Sequence, residues 1–154
     1  MTRDEVIEQL GLTPLPGEGG YFRQTWVAPD RVAGTAIYYL VTDDAQGFSA
    51  MHRLPTDEVY HFYLGDPVEQ LLLHADGTSE IVVLGQDLAA GQRVQHIAPP
   101  NTWQGTRLVP GGRWALLGTT MAPAFDVATY EAGDRDALMA RYPQAAARIR
   151  QLTR

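Results

Sequence analysis

The sequence predicts an all-β fold, an antiparallel sandwich or barrel, with short helices at both ends. About eight short runs rich in β-branched and aromatic residues follow one another along the chain, which is typical of strands. The gaps between them contain turn sequences such as Asp-Gly, Pro-Pro-Asn and Pro-Gly-Gly. Strands do not alternate with helical patterns, so a parallel α/β sheet is not expected.

The first element is predicted to be a helix over residues 2–10. Thr2 suits the N-cap position, Glu5 follows three residues later, and the apolar residues of this segment recur on one helical face. Gly11 is expected to end the helix. The Pro- and Gly-rich segment 12–20 then predicts a loop that leads into the first strand.

The strands are expected to follow with short connections. Their predicted ranges are 21–27, 35–42, 58–64, 68–74, 79–84, 93–97, 102–108 and 114–121. Asp76-Gly77 stands between two apolar runs and is the strongest hairpin signal in the chain.

The end of the chain returns to helical composition. Segments 134–142 and 144–152 are predicted helices, and Pro143 should break or kink the chain between them because proline lacks the backbone N–H. We expect one domain spanning residues 1–154, with a β core over about 20–125 and flanking helices over about 2–10 and 134–152.

Composition excludes several functional classes. The chain has 154 residues, no cysteine and 12 basic residues that are all arginine, which excludes thiolate sites and lysine Schiff-base catalysis. A net charge of -6 with scattered arginines makes nucleic acid an unexpected partner. No window approaches the roughly 20 apolar residues that span a bilayer, so no membrane association is expected. We expect a soluble cytoplasmic protein.

One segment concentrates groups that carry chemistry. His52, Glu58 and His61 fall within ten residues among apolar neighbours, and imidazole and carboxylate groups bind divalent metals or transfer protons near neutral pH. Side chains alternate along a strand, so Tyr60 and Phe62 should share a face with Glu58 while His61 takes the other. His61 joins the same pocket only if a bulge intervenes; otherwise it packs at an interface or under the terminal helix.

These residues resemble the motifs of a known superfamily. The spacing Gly47-x4-His52-x-Leu54-x3-Glu58-x6-Gly65 resembles the first cupin motif, and the segment from Pro99 to Gln104 resembles the second. The finer string from His52 to Pro67, with Gly20-Tyr-Phe-Arg23 upstream, resembles the cupin subfamily called domain of unknown function 985. The resemblance implies a double-stranded β-helix, the cupin jelly roll, often assembled as a homodimer.

The chain departs from the metal-binding cupins that it resembles. Those proteins use three histidines and one glutamate, whereas here only His52 and Glu58 remain, with Leu54 and Gln104 at the other two positions. The resemblance therefore implies a weak metal site of His52, Glu58 and Gln104 for Mn, Fe, Ni or Zn. The alternative is a metal-free pocket in which His52 is a general base oriented by Glu58, as in cupins that epimerise nucleotide-linked keto-sugars.

The favoured function is an enzyme with a polar, carbohydrate-like substrate, of the isomerase or epimerase type or with metal-assisted chemistry. The alternative is a cupin module that binds a small ligand without turning it over. A catalytic base at His52 should have a pKa near neutrality. Besides His52 and Glu58, the candidate ligand contacts are Gln104, His61, Tyr60, Phe62, Trp103, Arg23 and Arg53. The alternative role of the aromatic residues in this list is packing in the core, and that of the two arginines is a surface ion pair.

Overall fold

The computed structural model describes residues 1–154 and consists of two antiparallel sheets with three short helices. The strands are β1 (Thr13–Pro14), β2 (Tyr21–Val27), β3 (Thr35–Thr42), β4 (Ser49–Arg53), β5 (Glu58–Gly65), β6 (Val68–Leu73), β7 (Ser79–Leu84), β8 (Gln95–Ala98), β9 (Trp103–Leu108), β10 (Trp114–Met121) and β11 (Glu131–Ala132). One sheet has the order β1-β2-β3-β10-β5-β8, and the other has the order β11-β4-β9-β6-β7. Neighbouring strands thus come from distant parts of the chain, which gives the jelly-roll arrangement predicted from the sequence.

The helices begin and end where local chemistry dictates. They are α1 (Arg3–Leu10), α2 (Arg135–Arg141) and α3 (Ala146–Gln151). Thr2 and Glu5 form a capping box at the start of α1, and Gly11 ends it with a φ of 60°. A 3₁₀ turn, Pro143–Ala145, separates α2 from α3, so the predicted break at Pro143 is confirmed. None of the helices is long and apolar enough to cross a membrane.

Most strand predictions are confirmed. Ranges 21–27, 35–42, 79–84 and 114–121 are reproduced as predicted, and the other four predicted strands differ by at most two residues at an end. Asp76 and Gly77 form the turn of the β6–β7 hairpin, where the N–H of His74 donates to the carbonyl of Thr78 at 2.9 Å.

The sequence did not predict three strands, β1, β4 and β11. The important one is β4, whose Ser-Ala-Met-His-Arg sequence lacks the β-branched and aromatic residues that signal a strand. It forms because it pairs with β9 on one side and with β11 on the other. Pairing between distant segments therefore places His52 on a strand, which local composition does not indicate.

The apolar core divides into three parts. A cluster between the sheets includes Tyr39, Leu72 and Leu117, each 2 % exposed or less. A second cluster lies where α2 and α3 cover the five-stranded sheet, and a third lies under α1. Truncating Leu117 to alanine should cost about 2–5 kcal/mol of stability because it leaves a cavity at a fully buried site. Since the helices cover outer surfaces, the space between the sheets remains available for a ligand cavity.

Candidate active site

A cavity of about 390 Å³ opens between the two sheets. Ten of its 17 lining residues are hydrophobic, so its wall is mainly apolar. Two carboxyls and one imidazole interrupt that wall: Glu18 from the loop before β2, Glu58 from β5 and His52 from β4. A mainly apolar cavity with a few convergent polar groups is the usual form of a small-molecule site.

The imidazole of His52 is held in one orientation. The residue is 1 % exposed, and its Nδ1 lies 2.8 Å from the carbonyl oxygen of Ala50. A carbonyl can only accept, so Nδ1 carries a proton and Nε2 is the nitrogen that faces Glu58. The ring of Tyr130 stacks on the imidazole with 5.1 Å between centroids and 18° between planes. Backbone and stacking contacts together fix which nitrogen is free for chemistry.

A chain of buried amides holds the carboxylate of Glu58. Its Oε2 accepts hydrogen bonds from Gln104 Nε2 at 2.9 Å and from the hydroxyl of Tyr60 at 3.3 Å. The Oε1 of Gln104 in turn accepts from Gln70 Nε2 at 3.2 Å. Gln104 therefore presents its amide N–H to Glu58 and its oxygen to Gln70, away from the cavity.

Glu18 is a functional candidate that sequence reasoning missed. Its Oε1 accepts a hydrogen bond from Ser49 Oγ at 2.7 Å, and its backbone carbonyl accepts from the N–H of Ala50 at 2.9 Å and from the guanidinium of Arg154 at 3.1 Å. The residue is half-buried, but its carboxyl points into the cavity. The only signal in the sequence is an acidic residue inside a Pro- and Gly-rich loop, and that pattern more often marks solvent-exposed chain.

The charges of the site favour a protonated imidazole. Burial by itself lowers the pKa of His52, but the carboxyls of Glu18 and Glu58 and the carbonyl of Ala50 outweigh it and raise that pKa to about 9. This value lies above the near-neutral pKa that is expected of a catalytic base at His52. At neutral pH the side chain is an imidazolium, which is an acid and a hydrogen-bond donor.

Burial also acts on the neighbouring acids. It raises the pKa of the Glu18 carboxyl, and the charge of His52 opposes part of that rise. Burial likewise raises the pKa values of Tyr39 and Tyr60 well above the usual range, so both keep neutral hydroxyls. The Tyr39 hydroxyl donates to the carbonyl of Gly19 at 2.9 Å and ties the Glu18 loop to β3.

The structure places the candidates predicted from the sequence in different environments. His52, Glu58 and Tyr60 line the cavity. Gln104 is 2 % exposed and touches Glu58 from behind, so it reaches the cavity only through that carboxylate. Phe62 belongs to the apolar core between the sheets.

His61 does not enter the cavity. Its Nδ1 contacts Gln95 Nε2 at 3.2 Å and its Nε2 contacts Thr120 Oγ1 at 3.3 Å, both on the opposite face of the sheet from Glu58. The pairing of β5 with β10 does contain an irregularity, but it lies beyond His61, after Phe62. The alternation of the strand is therefore intact from Glu58 to His61.

Trp103, Arg53 and Arg23, which the sequence analysis named as ligand contacts, are not among the residues that line the cavity. Arg53 pairs with Glu131 at 2.7 Å and lies over the ring of Trp103, 4.7 Å from its centroid. Arg23 lies over the ring of Tyr38 at 5.4 Å. The arginine charges and the faces of the aromatic rings are therefore occupied by contacts within the protein.

The donor atoms of the site do not fit a divalent metal such as Mn, Fe, Ni or Zn. Leu54 lines the cavity at one motif position and supplies no donor atom, and the oxygen of Gln104 is turned to Gln70. A metal ligand must be neutral imidazole, so the raised pKa of His52 makes a proton compete with a metal ion for Nε2 at neutral pH. No group of three or more His, Cys, Asp or Glu side chains in the structure is arranged to hold a metal ion.

The two packed antiparallel sheets, with a cavity that contains His52 and Glu58, define a cupin-type jelly roll. The chain belongs to the cupin superfamily, in the family described as cupin superfamily (DUF985), whose model matches residues 4–133. No curated protein sequence matches the chain at a significant level.

Solved structures support the same assignment. A protein from Shewanella oneidensis is similar over 100% of this chain and 98% of its own, with 31% identity and a TM-score of 0.89. A hypothetical protein from Leishmania major has 26% identity and a TM-score of 0.88, and the match covers 99% of both chains. A cupin 2 domain-containing protein from Halorhodospira halophila shares the fold alone, with 16% identity, a TM-score of 0.62, and coverage of 88% of this chain and 86% of its own.

Proposed function

We propose that this cupin is an acid–base enzyme of the isomerase or epimerase type, which moves a proton next to a carbonyl group of a small molecule. The observation that carries the proposal is the protonated imidazole of His52 beside the carboxyls of Glu18 and Glu58 in a mainly apolar cavity. Such an arrangement supplies a proton donor and a proton acceptor in one water-poor site.

The two carboxyls have different roles in this proposal. Oε2 of Glu58 is occupied by Gln104 and Tyr60, so Glu58 stabilises the imidazolium rather than the substrate. Glu18 accepts a hydrogen bond from Ser49 at Oε1, and burial raises its pKa toward the working pH of a general base. Glu18 is therefore the proposed base.

The proposed step balances as a proton transfer. Glu18 takes the proton from the carbon next to the carbonyl, the C–H electron pair forms the C=C bond of an enolate, and the carbonyl π electrons move to oxygen. The Nε2–H of His52 donates a hydrogen bond to that oxygen and stabilises the charge that develops there. Return of a proton to the opposite face of that carbon gives the epimer. Where that carbon carries a hydroxyl group, transfer of the hydroxyl proton to the enolate oxygen and return of the proton from Glu18 to the former carbonyl carbon gives the isomer.

The cavity wall modifies the substrate class expected from the sequence. A carbohydrate-like molecule needs many polar partners, but the wall offers ten hydrophobic residues. Burying hydroxyl groups without hydrogen-bond partners costs about 1–3 kcal/mol each. The proposal therefore favours a carbonyl compound with a substantial apolar part over a fully hydroxylated sugar.

A binding module without turnover is the second candidate. The apolar wall supports it, because apolar contact provides affinity whether or not a proton moves. The two functions differ in one observable, the exchange of hydrogen on the carbon next to the carbonyl of the bound molecule.

The test follows that exchange by proton NMR in D₂O, with 2-octanone and 7-oxooctanoate as probes. Wild-type protein should accelerate exchange, and Glu18→Gln or His52→Gln should reduce the acceleration by about 10²-fold or more. The matched controls are His74→Gln and Glu80→Gln, because that pair lies outside the cavity and has the same 3.9 Å separation as His52 and Glu58. Acceleration that survives in Glu18→Gln would overturn the assignment of the base, and saturable binding without exchange would favour the binding module.

A further inference from the structure

A second chamber of about 640 Å³ adjoins the cavity. The two spaces share five lining residues and are therefore adjacent. The shared residues are Gln24, Thr35, Met121, Phe125 and Val127. Phe125 and Val127 are also exposed hydrophobic side chains, which offer apolar contact to the middle of a molecule that occupies both spaces.

The outer chamber carries an unpaired positive charge. Arg31, in the loop between β2 and β3, lines this chamber and belongs to none of the ion pairs of the structure. The other ionisable residue of the lining is Asp126, whose Oδ1 accepts from the N–H of Ala128 at 2.9 Å and caps a short turn. The guanidinium of Arg31 is thus available, and its planar fork matches carboxylate and phosphate oxygens.

The loop that presents Arg31 is firmly held. Oδ1 of Asp30 accepts from the backbone N–H groups of Val32 and Ala33, both at 2.9 Å. The N–H of Ala124 donates to the carbonyl of Val32 at 2.8 Å, which ties the loop to the segment that also lines the chamber. The backbone that carries Arg31 therefore has a defined position relative to the cavity, while the side chain itself is exposed.

The charges at the two ends of the combined space determine which end an anionic group of the ligand would occupy. The inner end contains the carboxyls of Glu18 and Glu58 against one imidazolium, so an anionic group is repelled there. The outer end offers Arg31, the one basic residue of its lining. The carboxylate of Asp126 also lines this chamber and the protein as a whole has a net charge of -6, so an anion would bind here only through direct contact with Arg31.

We propose that the ligand is a carbonyl compound with an apolar middle and an anionic end, a carboxylate or a phosphate, and that Arg31 binds this end in the outer chamber. The inference rests on the proposed function for the orientation of the carbonyl group, and on the two chambers and Arg31 for the anionic end. It adds a specificity determinant outside the cupin motifs.

The test compares 7-oxooctanoate with 2-octanone, which differ only in that a carboxylate replaces the terminal methyl group. Calorimetric titration of wild-type protein should show at least about tenfold tighter binding of the acid, equal to roughly 1.4 kcal/mol. Arg31→Gln should remove that preference and leave the affinity for 2-octanone unchanged. Arg150→Gln is the control, because Arg150 is an exposed arginine on α3 without an ion pair. Titration with 6-oxoheptyl phosphate shows which anion is preferred.

Each outcome bears on the proposal. Equal affinity of wild-type protein for acid and ketone, a preference that persists in Arg31→Gln, or no binding of either probe at millimolar concentration would overturn it. A preference that disappears in Arg31→Gln supports it even if no hydrogen exchange occurs, in which case the acid–base function alone is wrong.

Discussion

Nε2 of His52 lies 3.9 Å from Oε2 of Glu58, although the two residues belong to different sheets. β4 carries His52 in the five-stranded sheet, and β5 carries Glu58 at its first residue in the six-stranded sheet. Both residues are buried, and both line the cavity. The pair therefore joins the two layers at the inner end of the cavity.

Replacing Glu58 with glutamine should lower the pKa of His52 from about 9 toward or below its ordinary value. The variant keeps the shape of the side chain but removes a negative charge that favours the imidazolium, while the cost of burial remains. An NMR titration of the His52 ring measures the effect. In Glu80→Gln, which changes a carboxylate beside His74, the pKa of His52 should be unchanged. An unchanged His52 pKa in Glu58→Gln would contradict the coupling.

The free energy of unfolding of wild-type protein should decrease as the pH rises from about 6.5 to about 9. The folded pKa of His52 is raised above its unfolded value, so its contribution is complete below the unfolded pKa and disappears as the pH passes the folded one. The shift from 6.5 to about 9 corresponds to roughly 3 kcal/mol. Urea unfolding at both ends of this range should show the loss in wild-type protein and a much smaller loss in His52→Gln. The same pH dependence in both proteins would refute the attribution to His52.

Restoring the two missing histidines should create a metal site. Leu54 and Gln104 stand where the metal-binding cupins have histidine, and Leu54 already lines the cavity. The double variant Leu54→His, Gln104→His should bind Mn, Fe, Ni or Zn nearly stoichiometrically, because it provides three imidazoles and one carboxylate.

Elemental analysis of protein purified without chelator measures this gain. Wild-type protein should contain far less than one equivalent. One equivalent of metal in wild-type protein, lost in both His52→Ala and Glu58→Gln, would show that the native donor atoms do bind a metal ion.

Removing the side chain of Arg154 should loosen the loop that carries Glu18. The guanidinium donates to the carbonyls of Glu18 and Phe48 at 3.1 and 3.2 Å and lies 4.2 Å from the centroid of the Phe48 ring. In Arg154→Ala the N–H of Ala50, which donates to Glu18, should exchange with solvent about tenfold faster, equal to roughly 1.4 kcal/mol of local stability. The exchange rate should not change in Arg150→Ala. If both variants behave alike, Arg154 does not hold the loop.

The sequence predicts strands well where one face is continuously apolar. β3 and β10 contain β-branched and apolar residues at nearly every position, and their bounds agree with the prediction. β4 has no such pattern and forms through its partners β9 and β11, so local reasoning could not find it. The motif nevertheless identified His52 as a candidate, because a motif is matched by residue types and their spacing and does not require the secondary structure of the segment to be known.

The site is less predictable than the fold for a physical reason. Spacing along the chain identifies His52 and Glu58, but Glu18 reaches them only through loop contacts with Ser49, Ala50 and Arg154, which lie 31 or more residues away in sequence. The pKa of His52 depends on that third carboxyl and therefore could not be inferred either. The homodimer and the cytoplasmic location implied at the outset stay predictions.

The apolar wall of the cavity also determines the thermodynamic signature of occupancy. A ligand that fills it covers hydrophobic side chains such as Phe22, Ile37 and Met121 and displaces the solvent next to them. Removal of apolar surface from water lowers the heat capacity. The enthalpy of association should therefore become steadily more exothermic on warming. This temperature dependence would distinguish molecules that bind inside the cavity from molecules that bind only to charged groups on the protein surface.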